Sequence, residues 1–169
     1  TDFENLTLEG AGILNQSGTG NAFDNVITGN TARNTLSGLA GNDTLNGGAG
    51  ADNLTGGDGN DSLIGADGTD SLNGGTGNDT LNGGSGNDTI IGDLGNNNID
   101  GGSGVDTVDY GSATAGVIVN LRTGTATGDG NDVLVSIENV RGGSGNDIFI
   151  GDAGNNVLSG GAGVDTVDY

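Results

Sequence analysis

The sequence predicts an all-β solenoid, a stack of short parallel coils, and three observations carry that prediction. A nine-residue unit recurs ten times without a gap over residues 20–109 and three more times over 142–168, thirteen copies in a chain of 169 residues. Glycine holds the first position of every copy. The eighth position is Ile, Leu, Val or Phe in every copy, although only 31% of the chain is hydrophobic. A fixed period of this length marks an architecture in which each unit buries its apolar residue only against its neighbours.

The chain divides into four stretches. Residues 1–19 are a lead-in, in which Leu6 and Leu8 flank Thr7 and Ile13-Leu14 follows Gly10 and Gly12; this reads as two short strands separated by turns. The first two copies, 20–28 and 29–37, place Phe23 and Ala32 at the fourth position and Asn25 and Asn34 at the sixth, where most later copies have Gly and Asp. Atypical terminal repeats suit a cap. From residue 38 to 109 the pattern sharpens, and each copy splits into a six-residue turn and a three-residue strand such as Thr80-Leu81-Asn82. Side chains alternate along a strand, so Leu81 points inward while Thr80 and Asn82 face water.

Two copies complete one coil of 18 residues with a strand on each side. The expected core is a two-sided ladder, with Leu45, Leu63, Leu81 and Ile99 opposed by Leu36, Leu54, Leu72, Ile90 and Val108. Residues 110–141 interrupt the array. Val117, Val119 and Leu121 read as a strand, Thr123 to Gly128 as a turn, Gly128-Asp129-Gly130-Asn131-Asp132-Val133-Leu134 as a revived half repeat, and Ile137-Glu138-Asn139-Val140 as another strand. This insert is expected to continue the parallel stack with a longer, irregular coil. Residues 142–169 then resume the repeat as a second block of three copies.

Composition limits what such a chain can do. Aromatics make up 3%, Trp and Met are absent, and the formal net charge is −20. Low hydrophobicity with high net charge is the signature of disorder, because little apolar area offsets chain entropy. Something positive must join the chain before it folds. Its 23 acidic residues face only Arg33, Arg122 and Arg141, which argues against nucleic acid or an anionic membrane as partner. No apolar run long enough to span a bilayer is present, and no signal peptide is visible. The serines lack any His, Cys or Lys as base, so no enzyme is expected.

The best copies read Gly74-Gly75-Thr76-Gly77-Asn78-Asp79-Thr80-Leu81-Asn82 and Gly83-Gly84-Ser85-Gly86-Asn87-Asp88-Thr89-Ile90-Ile91. The pattern Gly-Gly-x-Gly-x-Asp-x-apolar-x resembles the RTX (repeats-in-toxin, hemolysin-type) family of calcium-binding nonapeptide repeats. The resemblance implies a right-handed parallel β-roll with calcium ions between its turns. It also implies a bacterial protein that leaves the cell through a type I secretion system and works outside or at the cell surface. The residues agree on the metal. With no Cys and no His, only hard oxygen ligands remain, which favours calcium over zinc and most transition metals.

By the same resemblance, each ion takes carbonyls two and four and Asp six from one copy, and carbonyls one and three and Asp six from the copy 18 residues on. Carried onto this chain, Asp43/Asp61 is joined by Leu39, Gly41, Gly56 and Asp58, and Asp52/Asp70 by Gly48, Gly50, Gly65 and Asp67. Asp61/Asp79 is joined by Gly57, Gly59, Gly74 and Thr76, and Asp70/Asp88 by Ala66, Gly68, Gly83 and Ser85. Asp88/Asp106 takes Gly84, Gly86, Gly101 and Ser103, and Asp147/Asp165 takes Gly143, Gly145, Gly160 and Ala162. Asp79/Asn97, with Gly75, Gly77, Gly92 and Leu94, loses one charge and is expected to be weaker. The expectation is about six strong sites and one or more weaker ones. Asp70 serves two ions in this scheme and Asp106 one. Without metal, facing carboxylates about 5 Å apart repel by about 1–3 kcal/mol per pair.

The resulting expectation is a non-catalytic structural or spacer segment of a large secreted adhesin, surface-layer or matrix protein, folding on calcium outside the cell. The alternative is the calcium-dependent folding and secretion module of a secreted protease, lipase or epimerase. A third reading takes the outward rows, Thr44, Ser62, Thr80 and Asn98 among them, as an ice- or glycan-binding surface. These rows are mixed, as ordinary solvent-facing strands are. Besides calcium, the expected partners are neighbouring repeats of the same parent chain. Gly163-Val164-Asp165-Thr166-Val167-Asp168-Tyr169 repeats Gly104-Val105-Asp106-Thr107-Val108-Asp109-Tyr110, so the parent is expected to continue with further rolls, and the segment to associate end to end in calcium.

Overall fold

The computed structural model describes residues 4–10 and 15–169. Strands β1 (Asn5–Thr7), β2 (Gln16–Thr19), β3 (Val26–Thr28), β4 (Asn34–Ala40), β5 (Thr44–Gly50), β6 (Asn53–Asp58) and β7 (Ser62–Gly68) open the chain. Next come β8 (Ser71–Thr76), β9 (Thr80–Ser85), β10 (Thr89–Ile91), β11 (Asn98–Ser103), β12 (Thr107–Asp109) and β13 (Ile118–Asn120). The rest are β14 (Thr125–Thr127), β15 (Asn131–Val135), β16 (Asn139–Arg141), β17 (Ile148–Ile150), β18 (Val157–Ser159) and β19 (Thr166–Asp168). Outside β13–β15, which all lie in one sheet, strands alternate between two sheets, one ordered β1-β3-β5-β7-β9-β11-β15-β14-β13-β17-β19 and the other β18-β16-β12-β10-β8-β6-β4-β2.

The coil is the one the spacing predicts. Leu45 pairs with Leu63 and Leu63 with Leu81 across one sheet, and Leu54 with Leu72 across the other, each step 18 residues. Both ladders of eighth-position residues from Ile27 to Val108 lie at or below 1% exposure. A single column of aliphatic side chains on each inner face is the whole core of the repeat block. That thin core stabilises by packing between successive coils and offers no reserve elsewhere.

The strands run longer than three residues wherever the turn also pairs coil to coil. Beyond Leu54↔Leu72, Gly57 pairs with Gly75 and Asp58 with Thr76, so β6 extends into the turn. This close stacking requires the second and fourth positions to hold left-handed backbone, as Gly57 (φ 123°) and Gly77 (φ 136°) do. Leu39 (φ 86°) and Ala66 (φ 79°) adopt the same conformation without being glycine.

The insert continues the stack, but not as one irregular parallel coil. β15 lies parallel on β11; β14 then runs antiparallel to β15, and β13 antiparallel to β14. β13 returns to parallel pairing with β17. The Thr123 to Gly128 stretch, expected as a turn, therefore contains β14, with Ala126 buried at its centre. A two-residue alternation cannot report this, because Thr-Ala-Thr carries no large apolar residue. Val117 and Val119 are buried as expected, and Leu121 packs at the core edge. In the lead-in Leu6 lies on β1 against Ile27, while the strand expected at Ile13-Leu14 lies outside the described residues.

The fourth-position glycines are the most exacting. A Cβ on Gly77 would overlap the Gly59 carbonyl oxygen of the coil before it. Gly77→Ala is expected to destabilise the folded roll by on the order of 2 kcal/mol or more, read by urea unfolding in saturating calcium; a change within error would contradict this stacking.

Candidate metal centre

Each sixth-position aspartate is held in the same way. The turn folds its side chain under the first glycine of its own copy, and one carboxylate oxygen reaches the coil before it. Asp61 Oδ1 accepts the Asp43 N–H at 2.7 Å, and Asp79 Oδ1 accepts the Asp61 N–H at 2.8 Å. The same bond joins Asp70 to Asp52, Asp88 to Asp70, Asp106 to Asp88 and Asp165 to Asp147. Asp43 and Asp52 receive theirs from Asn25 and Asn34, and Asp147 from Val117 in the insert.

The other oxygen is left over. Oδ2 of Asp43, Asp52, Asp61, Asp70, Asp79, Asp88, Asp106 and Asp147 is buried without a hydrogen-bond partner. Buried carboxylate oxygens are costly unless a proton, a donor or a cation meets them. None of these oxygens has a protein donor within hydrogen-bond reach among the described residues. A Cβ on Gly56 would collide with both Asp61 Oδ2 and the carbonyl oxygen of Gly74, one coil further on. The same convergence joins Asp43 Oδ2 with Gly56, Asp52 with Gly65, Asp70 with Gly83, Asp88 with Gly101, and Asp147 with Gly160.

The remaining expected oxygens face the same gaps between coils. The carbonyls of Leu39 and Gly41 press on Gly57 and Gly59, those of Gly57 and Gly59 on Gly75 and Gly77, and those of Gly84 and Gly86 on Gly102 and Gly104. From the other side, the third-position carbonyls of Asp58, Thr76 and Ser103 accept N–H bonds from Gly41, Gly59 and Gly86 at 2.8–2.9 Å, leaving a second lone pair each. Among the described residues no three acidic side chains converge on one point. Each gap between two facing aspartates thus offers two carboxylates and backbone carbonyls, a donor set that suits a hard cation of flexible coordination such as calcium.

Electrostatics agree. Burial raises the pKa of Asp43, Asp52, Asp70, Asp79, Asp88 and Asp106, and that of Asp61 to about 6, where the charges of Asp79 and Asp43 add to burial. In Asp70, Asp88 and Asp106 a neighbouring aspartate of the column also contributes.

The asparagine copies differ in a way that explains their substitution. Asn25 Oδ1 accepts the Asn21 N–H of its own turn at 2.8 Å, and Asn34 Oδ1 that of Asn30 at 2.7 Å. Neutral and bonded within their own turns, these tiers present no carboxylate, in keeping with a cap. Asn156 accepts the Asp152 N–H in the same manner at 3.0 Å. Asn97 behaves otherwise. Its Oδ1 takes the place of a carboxylate oxygen and accepts the Asp79 N–H at 2.9 Å, while Nδ2 donates to the Asp93 carbonyl at 3.4 Å. The Asp79/Asn97 gap therefore retains the unpartnered Asp79 Oδ2 but faces a neutral amide oxygen where its neighbours have a second carboxylate.

The gap that follows holds Asp132 of the half repeat at 128–134, together with Tyr110, which the repeat pattern does not reveal. The ring of Tyr110 fills the space beside Gly92 that an aspartate oxygen fills beside Gly56 or Gly74. Its hydroxyl donates to Asp132 Oδ2 at 2.7 Å, and Asp132 Oδ1 accepts the Asn97 N–H at 2.8 Å. Asp132 thus stands in the aspartate column with both oxygens satisfied by protein. Burial first, then Asp132, pushes the Tyr110 hydroxyl pKa well up and keeps it a donor. Asp93 is the other unforeseen group. Its Oδ2 accepts the Gly75 N–H at 2.8 Å, its Oδ1 is buried without a partner, and burial with the charge of Asp79 raises its pKa to about 6. The signal for it was present in Gly-Asp-Leu-Gly-Asn-Asn at 92–97, where the second position gains the acid that the sixth loses.

The chain matches the family model of the RTX calcium-binding nonapeptide repeat in four copies, over residues 19–54, 47–81, 82–113 and 137–169. These spans take in well over half of the chain and leave out 114–136, the heart of the insert. No curated protein matches the chain at a significant level.

Two outcomes are expected. The Asp61 pKa lies near 6 in the metal-free roll against an ordinary 3.8, so the roll binds this proton more tightly than the open chain does. Protonation therefore stabilises the roll fully below about 3.8, and that contribution is lost as pH rises through about 6. Protons and cations compete for one oxygen, so cation affinity should fall as pH drops through about 6; titrations at several pH values with unchanged affinity would contradict it. Separately, Tyr110→Phe leaves Asp132 Oδ2 buried and unpartnered, which should cost about 1–3 kcal/mol in urea unfolding with the cation present.

Proposed function

Because the chain belongs to the RTX calcium-binding nonapeptide repeat family, we propose that it is a calcium-locked roll, open inside the cell and rigid outside, serving as a non-catalytic structural segment of a large secreted adhesin, surface-layer or matrix protein. The observation that carries this reading is the row of eight buried aspartate oxygens without partners. Each faces a carbonyl-lined gap in a chain of net charge −20 whose repeat core is one aliphatic side chain per coil face.

On this reading the ions sit between Asp43/Asp61, Asp52/Asp70, Asp61/Asp79, Asp70/Asp88, Asp88/Asp106 and Asp147/Asp165, with the Asp79/Asn97 pair weaker. In each, the carbonyls named for that pair complete the coordination, and the aspartates hold the ion while the glycines let the coils close on it. Calcium inverts the sign of every carboxylate–carboxylate repulsion along the column. Extracellular calcium modules bind at about 10⁻⁴–10⁻³ M. With free calcium tenfold above such a value, each site stabilises the roll by about 1.4 kcal/mol. Six sites then contribute about 8 kcal/mol, the size of a whole domain's stability. At cytosolic calcium the contribution vanishes, which leaves the chain open for export.

Circular dichroism tests this directly. In chelator the spectrum is expected to be that of a disordered chain, and millimolar calcium should produce β signal cooperatively. Magnesium should do so poorly, since it demands compact octahedral geometry. A β-rich spectrum in excess chelator would refute the proposal.

A further inference from the structure

The spacing of the repeats ends the aspartate column at Asp106 and gives it one ion. The structure does not end it there. Asp106 is fully buried, and its Oδ2 has no partner, like those of the aspartates above it. What lies on its far side is the insert. β12 pairs with β16 in the register Thr107↔Asn139 and Val108↔Val140, which sets Glu138 opposite Asp106. Glu138 Oε2 accepts the Asp106 N–H at 2.7 Å, the bond that Asp79 makes to Asp61. The Asn139 N–H donates to the Asp106 carbonyl at 2.9 Å, as the Thr80 N–H does to Asp61 at 2.8 Å.

The carbonyl that completes the gap is present too. A Cβ on Gly101 would collide with the Ser136 carbonyl oxygen and crowd Asp106 Oδ2, just as one on Gly56 would meet Gly74 and Asp61. Ser136 follows Val135, which pairs with Asp100, so Ser136 holds the first position of this coil and Glu138 the sixth. The six-residue turn is here cut to three. Ser136 adopts φ 52° to make that turn, and Ile137 is buried at 6% exposure, anchoring it in the core. A shorter turn leaves the main chain further back, and glutamate has the extra methylene to reach Asp106.

We propose that Asp106, Glu138 and the Ser136 carbonyl, with the carbonyls at the second and fourth positions of the Asp106 copy, Gly102 and Gly104, form a further calcium site that fastens the insert to the repeat block. It rests on the calcium reading of the repeats and extends it to a carboxylate outside the nonapeptide pattern, 32 residues from its partner. The insert is then a metal-fastened tier of the same roll, and Asp106 serves two ions as Asp70 does.

The test is calcium stoichiometry on the whole chain by equilibrium dialysis, with circular dichroism to confirm equal β content. Glu138→Gln keeps an acceptor for the Asp106 N–H and removes the charge. It is expected to bind one ion fewer than the unaltered chain, at a calcium concentration that just saturates the latter, through a tenfold or greater loss at that site. Arg141→Ala cuts the ion pair with Asp109 at the same junction (2.9 Å) without touching the site, and should keep the full count. Asp61→Asn reports the repeat sites independently. An unchanged count in Glu138→Gln alongside a reduced one in Asp61→Asn overturns this inference and leaves the repeat reading intact. So does an Arg141→Ala chain that loses the same ion. No calcium bound by any chain, the unaltered one included, sinks the repeat reading itself and this inference with it.

Discussion

The structure depends on one electrostatic constraint: from Asp43 to Asp106, and again at Asp147, the coils bury carboxylates of which only one oxygen has a protein partner. The bonded oxygen fixes the coil before it, through a main-chain N–H at 2.6–3.0 Å in every tier from Asn34 to Asp147 of the two repeat blocks where an aspartate stands opposite. The unbonded oxygen makes the stack conditional. In each of the two columns, burial first and then the charges of neighbouring aspartates raise the carboxylate pKa values, so every tier carries an unmet cost that a bound cation would offset. Against that cost the aliphatic ladder offers one buried side chain per strand.

The other features of the repeat follow from the need to bring oxygens together. Glycine at the first position leaves room for the carboxylate oxygen and the next coil's carbonyl. Left-handed backbone at the second and fourth positions turns carbonyls onto the coil that follows. The third position is free of both demands and varies accordingly, from Ala49 to Asp58, Thr76 and Leu94. Where the acid is replaced, the replacement closes the gap with protein. Asn25 and Asn34 fold onto their own turns, and Tyr110 fills the space below Asn97 and donates to Asp132.

Much of this was legible because the period is constant. An 18-residue coil follows from two copies per turn, and that one number places Leu63 between Leu45 and Leu81 and Asp61 between Asp43 and Asp79. The insert broke the rule that made the rest readable. The half repeat at 128–134 was readable, but its Asp132 stands 35 residues from Asn97, and Glu138, outside any repeat, stands 32 from Asp106; strand register sets both separations, not the period. The antiparallel β14 was hidden because Thr125-Ala126-Thr127 has no large apolar residue to betray a buried centre. Tyr110 looked like the first residue of an interruption and is instead among the largest fully buried side chains. Each of these residues acts through a partner far along the chain, which a local pattern cannot name.

Anomalous scattering from a calcium-loaded crystal tests the central claim most directly. The account predicts peaks in two rows between successive coils, each about 2.3–2.6 Å from an aspartate Oδ2 that lacks a protein partner and from the first-position carbonyl of the next coil. It predicts none beside Asn25 or Asn34, whose side-chain oxygens are bonded within their own turns. A folded roll with no peak between Asp61 and Asp79, or with ions bound only at exposed acids outside the gaps, would contradict it.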